Sequence, residues 1–151
     1  MEENLTILQN GARESQGDVR GYSPLTLAYI GDAVYELLIR TMVVTTANAP
    51  VNKLHKKSSL LVKAGTQSAM AEALQPVFTE EELAVYKRGR NAHSYTKAKN
   101  ATTGDYRRAT GFEAVFGYLY LKGDMKRVDE LFRLAVESTK HNGQASSAGK
   151  D

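Results

Sequence analysis

LAYIGDAVYELLI (residues 27–39) is apolar enough to be a buried helix, yet it carries Asp32 and Glu36. Upstream, Ser23 is an expected N-cap and Pro24 an expected first helical residue, where a missing N–H removes no bond. Leu27, Ile30, Val34, Leu37 or Leu38, and Met42 recur at helical spacing, so the stretch predicts a long helix continuing through RTMVV. Ala28, Asp32 and Glu36 form a neighbouring row, with Glu36 placed to pair with Arg40 one turn on. Gly31 costs about 1 kcal/mol of helix propensity relative to Ala. It is therefore expected to admit a ligand or another backbone at close range, or to be a plain packing glycine. A second run of this kind, GFEAVFGYLYL (residues 111–121), carries Glu113. A carboxylate in an apolar environment needs its charge compensated. Two readings of these acids stand: a bound divalent cation, or an ordinary partner such as an Arg, a helix N-terminus or the edge of the apolar face.

Working outward, Asn48–Ala49–Pro50 breaks the first helix and opens a second, VNKLHKKSSLLVKA. A third, TQSAMAEALQPV, follows Gly65. Thr79 and Glu82 have the spacing of a capping box for a fourth helix running to about Arg88. Gly89 to Gly104 has no sustained period and is expected to be a long basic loop. A fifth helix is expected over about Tyr106–Leu121, stopped by Gly123, and a sixth from an Asp124 cap to near Lys140. No segment alternates with period two long enough for a strand. The expected fold class is all-α, with one domain over residues 22–141, a flexible lead-in over 1–21 and a disordered tail over 142–151.

The chain has 151 residues and no cysteine, which excludes a disulfide scaffold, a thiolate metal site and a thiol nucleophile. Any metal must be held by oxygen or imidazole. With neither a signal-peptide pattern nor an apolar run long enough to cross a bilayer, the chain is expected to be soluble, cytoplasmic and not bound to membrane. The net charge of +3 is unevenly spread. Residues 87–108 hold seven Lys/Arg against the single acid Asp105, which suits a polyanionic partner as well as it suits a solvated loop.

YIGDAVYELLIR resembles the signature helix of the ribonuclease III family, and GFEAVFGYLYL resembles that family's second acidic helix. The segments LAYIGDAVYE, LHKKSS, FTEEE, KRGRNAHS and YRRATGFEAVFGYLYL are collinear with the miniature branch of the family, Mini-ribonuclease III. That branch has the nuclease domain and no double-stranded-RNA-binding domain. The resemblance covers about residues 22–138. It implies a helical, homodimeric, Mg²⁺-dependent endoribonuclease that cuts double-stranded RNA. For the miniature branch it implies maturation of both ends of the 23S ribosomal RNA precursor, with a ribosomal protein as a possible partner.

Carried over by position, Asp32 matches the catalytic, metal-binding aspartate and Glu113 the second metal-binding glutamate. The chain departs from full-length members at Ala28 and Thr110, where those carry a glutamate and an aspartate. Two site carboxylates per subunit remain, so water and RNA phosphate are expected to complete the Mg²⁺ octahedron. Hydrolysis would leave a 5′-phosphate and a 3′-hydroxyl. Lys56, Lys57, Lys87, Arg88, Arg90, Lys97, Lys99, Arg107 and Arg108 are the candidate RNA contacts along the shallow minor groove of A-form RNA. His55 and His93 sit in basic segments and are expected to meet solvent or phosphate. Tyr29 and Tyr106 have the spacing of core aromatics, with a hydroxyl near the metal as the alternative, and Tyr29 and Leu25 are also candidates for a dimer interface. The rival class is a non-catalytic RNA-binding or ribosome-assembly factor that keeps the fold.

Overall fold

The computed structural model describes residues 18–92 and 103–147, with side chains as far as Lys140. A short 3-10 turn, Val19–Gly21, precedes six α-helices among these residues: α1 Pro24–Thr46, α2 Val51–Val62, α3 Ala64–Leu74, α4 Glu80–Asn91, α5 Thr103–Lys122 and α6 Met125–Ser147. No strand occurs among the described residues, in accord with an all-α fold.

Ser23 Oγ accepts the Thr26 N–H at 3.1 Å and Pro24 opens α1, as the local sequence dictates. The buried stripe of α1 is Leu27, Ala28, Gly31, Tyr35, Ile39 and Val43. It lies one residue on from the row the sequence suggested; Ile30, Val34, Leu38 and Met42 flank it, half-buried. Leu27, Gly31, Tyr35, Ile39 and Val43 recur every fourth residue, an i, i+4 ridge of large apolar side chains interrupted at Gly31, where α1 meets its neighbour most closely. Tyr35 stands edge-on to Phe112, Phe116 and Phe132, with centroids 5.2, 5.8 and 6.1 Å away. Its hydroxyl donates to the Leu61 carbonyl at 2.6 Å, joining the end of α2 to the core.

The centre of the molecule is α5, buried from Ala109 to Leu119 except at Glu113 and wrapped by α1, α3 and α4. Two pairs of glycines set how close its neighbours come. A Cβ on Gly31 would lie 1.7 Å from the Glu113 carbonyl oxygen, and one on Gly117 would lie 1.9 Å from that of Leu27. On the other side a Cβ on Gly111 would lie 2.6 Å from the Tyr86 carbonyl oxygen, and one on Gly89 would lie 2.9 Å from the Gly111 Cα.

Gly89 is therefore a packing residue inside α4, and the fourth helix runs on to Asn91 instead of ending at Arg88. The third helix begins at Ala64, before Gly65, and the fifth at Thr103, so the interval expected as a loop shrinks from both sides. The sixth helix continues to Ser147, past the expected stop near Lys140 and into the residues expected to be a disordered tail. Elongating a nucleated helix fixes one residue per bond gained and needs no apolar face of its own. The lead-in expected over residues 1–21 lies outside the described residues up to residue 17, and its end is the 3-10 turn capped by Asp18. Gly123 closes α5 with φ 88°. Asp124 then accepts the Arg127 N–H at 3.2 Å.

The capping box of α4 is present, with Glu82 N–H to Thr79 Oγ1 at 3.1 Å and Thr79 N–H to Glu82 Oε1 at 2.9 Å. Glu82 is also buried against Arg127 of α6, which donates at 2.8 and 2.9 Å. Burial pushes the Glu82 carboxyl up, but Arg127 and the Thr79 N–H outweigh it and the group titrates below its ordinary value.

The glycine crossing is open to direct test. Gly31→Ala is expected to lower unfolding stability by about 3 kcal/mol or more, since a methyl group there overlaps backbone that cannot swing away. Gly21→Ala, where a Cβ meets nothing within 4 Å, should stay within about 0.5 kcal/mol of wild type. Urea denaturation of both variants measures the difference, and a mild effect at Gly31 would show that the α1–α5 spacing is not fixed there.

Candidate active site

Because α1 and α5 meet backbone to backbone at Gly31 and Glu113, the side chains next to that contact are forced together. Asp32 follows Gly31 directly, and its carboxylate lies near enough to that of Glu113 to act on its ionisation. The sequence argument took both acids to be buried. Asp32 is in fact exposed, on the outward side of α1 beside the glycine stripe, and only Glu113 is withdrawn from solvent. The neighbouring acid is not compensation: the charge of Asp32 works against ionisation of Glu113.

That arrangement has an electrostatic consequence. Burial and then the charge of the neighbouring Asp32 push the Glu113 carboxyl up to about 9. Burial also raises the Tyr35 hydroxyl, and Glu113 adds to it. The two positions where carboxylates are absent by comparison with the resembled family contribute no ligand here. Ala28 is buried, and the Thr110 hydroxyl donates to the Tyr106 carbonyl of its own helix at 2.9 Å. Among the described residues no group of three or more His, Asp or Glu is placed to hold a metal. The donor set this chain supplies is a pair of carboxylates. Its oxygen chemistry and crowded negative charge suit a hard divalent cation that takes its other ligands from water and substrate. Glu36 bonds Arg40 at 2.7 Å, the i, i+4 pair the spacing suggested.

Of the basic candidates, Lys56 and Lys57 on α2, Lys87 and Arg88 on α4, and Arg107 on α5 are exposed. Arg90 is half-buried, its guanidinium 5.7 Å from the Tyr86 ring centre and its Nε donating to Asn91. Arg108 is half-buried and committed to Ser68, Asp105 and Glu72. Lys97, Lys99 and His93 lie outside the described residues. His55 is exposed on α2 and Tyr106 is half-buried.

Sequence reasoning offered Leu25 and Tyr29 as apolar residues outside the core but did not extend that surface to Leu37 and Val44. Leu25, Tyr29, Leu37 and Val44 are 37, 83, 50 and 59% exposed, on the helix that bears Asp32. Tyr29, expected among the core aromatics, is the most exposed of these. The signal was present in the sequence, since α1 is apolar over a wider arc than one buried stripe uses. The Glu82–Arg127 pair was also missed, because nothing local links residues 45 positions apart.

The model of the ribonuclease III domain matches residues 25–124 of the chain. A Mini-ribonuclease 3 of Clostridium tetani is 47% identical over 139 residues, covering 89% of this chain and 92% of that protein. The Mini-ribonuclease 3 of Thermoanaerobacter sp. is 43% identical, covering 88 and 94%, and that of Staphylococcus aureus 42%, covering 82 and 93%. A crystal structure of a Fusobacterium nucleatum protein superposes with a TM-score of 0.73 at 27% identity, over 82% of this chain and 99% of that one.

The pairing of the acids should be visible in the pH dependence of stability. The folded protein keeps a proton on Glu113 that the unfolded chain, at the ordinary value of 4.5, has already released. Without metal, stability is therefore expected to fall as pH rises from about 4.5 to about 9. Glu113→Gln should remove that downward slope and leave the variant the more stable protein at pH 9 and above. Urea midpoints in EDTA across this range measure it, and parallel profiles for the two proteins would show that Glu113 is not held protonated.

Proposed function

The chain belongs to the ribonuclease III family, in its Mini-ribonuclease 3 branch, and is an endoribonuclease of double-stranded RNA; on that premise we propose that Asp32 and Glu113 together hold the Mg²⁺ at which the strand is cut. The observation that carries this reading is the backbone contact of Gly31 with Glu113 at the α1–α5 crossing, which sets two carboxylates side by side. The acids are brought together by rigid backbone, and one is kept from ionising chiefly by burial and by the other's charge. A bound cation supplies neutralisation of charge on the phosphate and activation of a water. Asp32, exposed, presents its oxygens to solvent and substrate, while Glu113 gives up its proton when the cation binds. Tyr35 fixes the floor behind Glu113 through its three ring contacts and its bond to Leu61.

The exposed Lys56, Lys57, Lys87, Arg88 and Arg107, with Arg90 at the rim, are suited to phosphates on either side of the minor groove. The proposed substrate is the 23S ribosomal RNA precursor, cut at both ends in the cytoplasm to leave 5′-phosphates, with a ribosomal protein as a possible presenting partner. No helix among the described residues is long and apolar enough to cross a membrane. A homodimer fits the same reading. One carboxylate pair serves one strand, so cutting both strands in one encounter needs two sites about a two-fold axis. The exposed apolar row on α1, alongside Asp32, is the face such a dimer would bury.

Asp32→Asn keeps the shape of the side chain and removes its charge. Cleavage of long double-stranded RNA in Mg²⁺ is expected to fall by on the order of a hundredfold or more, with helical content and gel retardation of the RNA retained. EDTA should stop the wild-type protein in the same way. Turnover at wild-type rate in the variant would remove Asp32 from the site, and retardation without cleavage by the wild type would favour a non-catalytic RNA-binding role.

Tyr29→Asp tests the assembly. In a monomer this exposed substitution costs little; in a dimer it buries an unpaired charge. Sedimentation of the wild type is expected to give a dimer at micromolar concentration and of the variant a monomer that no longer makes paired cuts. A wild-type monomer making paired cuts would overturn the two-fold arrangement.

A further inference from the structure

Arg107 and Arg108 are adjacent in the sequence and differ in what surrounds them. Arg107 is exposed. The Arg108 guanidinium instead donates through Nε to Ser68 Oγ on α3 at 2.6 Å and through Nη2 to Asp105 Oδ1 at 3.2 Å, and its Nε lies 3.5 Å from Glu72 Oε1. It also lies against the first turn of its own helix, so that a Cβ on Gly104 would be 3.2 Å from Nη2. Ser68, its closest partner, is 2% exposed and cannot reach a ligand in solution.

The glycine crossings that fix α5 begin at Gly111, so the turns from Thr103 to Arg108 need another tie. We infer that Arg108 is a positioning residue that staples the entry turns of α5 to α3 and thereby holds Arg107 toward the RNA in one orientation. This rests on the chain's acting on double-stranded RNA and refines which cations meet it. The staple needs a planar fork: its donors serve a hydroxyl across the interface and a carboxylate on its own helix at once, with the Glu72 carboxylate beside Nε as an ion pair. A lysine ammonium carries the same charge without that geometry.

Binding of a synthetic RNA duplex in EDTA, measured across a range of salt concentrations, separates a staple from a phosphate contact. A residue that neutralises a phosphate contributes to the slope of log affinity against log salt, whereas one that orders its neighbour shifts the line without tilting it. Arg107→Gln is expected to reduce the slope by about 0.7–0.9. Arg108→Gln should leave the slope unchanged and lower affinity about threefold to tenfold at every salt concentration, the cost of ordering a freed side chain on binding. Arg108→Lys should behave like Arg108→Gln. Ser68→Ala alters no charge, is buried, and should reproduce the same parallel shift; it carries the test if Arg108→Gln does not fold by circular dichroism. A wild-type line for Arg108→Lys and Ser68→Ala, with slope lost only in Arg108→Gln, would make Arg108 a phosphate contact and overturn the proposal. Lines unchanged in all three would overturn it too. Failure of the wild-type protein to retain the duplex removes the nuclease reading and this refinement together, and is seen in the wild-type lane alone.

Discussion

Two helices approach only as closely as the atoms between them allow, and between α1 and α5 those atoms are backbone. Gly31 faces the Glu113 carbonyl and Gly117 faces that of Leu27, at distances where any side chain would collide. The proposed site is built on that contact. It brings Asp32 beside Glu113, sets Tyr35 among Phe112, Phe116 and Phe132, and holds α5 so that Gly111 and Gly89 can repeat the arrangement with α4. Rigid backbone at a crossing positions side chains more closely than flexible loops could, which suits the proposed two-carboxylate site.

The molecule handles its acids in opposite ways. Glu82 is buried with its charge answered, held by a two-pronged Arg127 and a capping N–H, and it titrates below the usual value. Glu113 is withdrawn from solvent with another acid as its neighbour and is pushed far above it. The first arrangement ties α4 to α6. The second keeps a proton on a withdrawn carboxyl at one point of an otherwise well-packed core. The cations divide similarly: Lys56, Lys57, Lys87, Arg88 and Arg107 face outward, whereas Arg108 and Arg127 spend their planar forks on the protein itself. Arginine suits both uses, and only its surroundings tell which is in force.

Capping, periodicity and motif are local, and the sequence shows them: Ser23–Pro24, the Thr79–Glu82 box, the Gly123 stop, the six helical segments, and the two acids that mark the family resemblance. Helix ends were less legible at Gly65, Gly89 and Gly104: all three lie inside helices, and a glycine that breaks a helix, one that is tolerated within it, and one such as Gly89 that lets two helices touch are the same residue in a sequence. By itself the sequence determined an all-α chain and named Asp32 and Glu113. Only the tertiary structure decided that Asp32 is exposed while Glu113 is withdrawn, that α1 leaves an apolar row in water, and that Arg108 turns inward. Each of these depends on which residues some forty to eighty positions apart come into contact, and no spacing along a single chain encodes that.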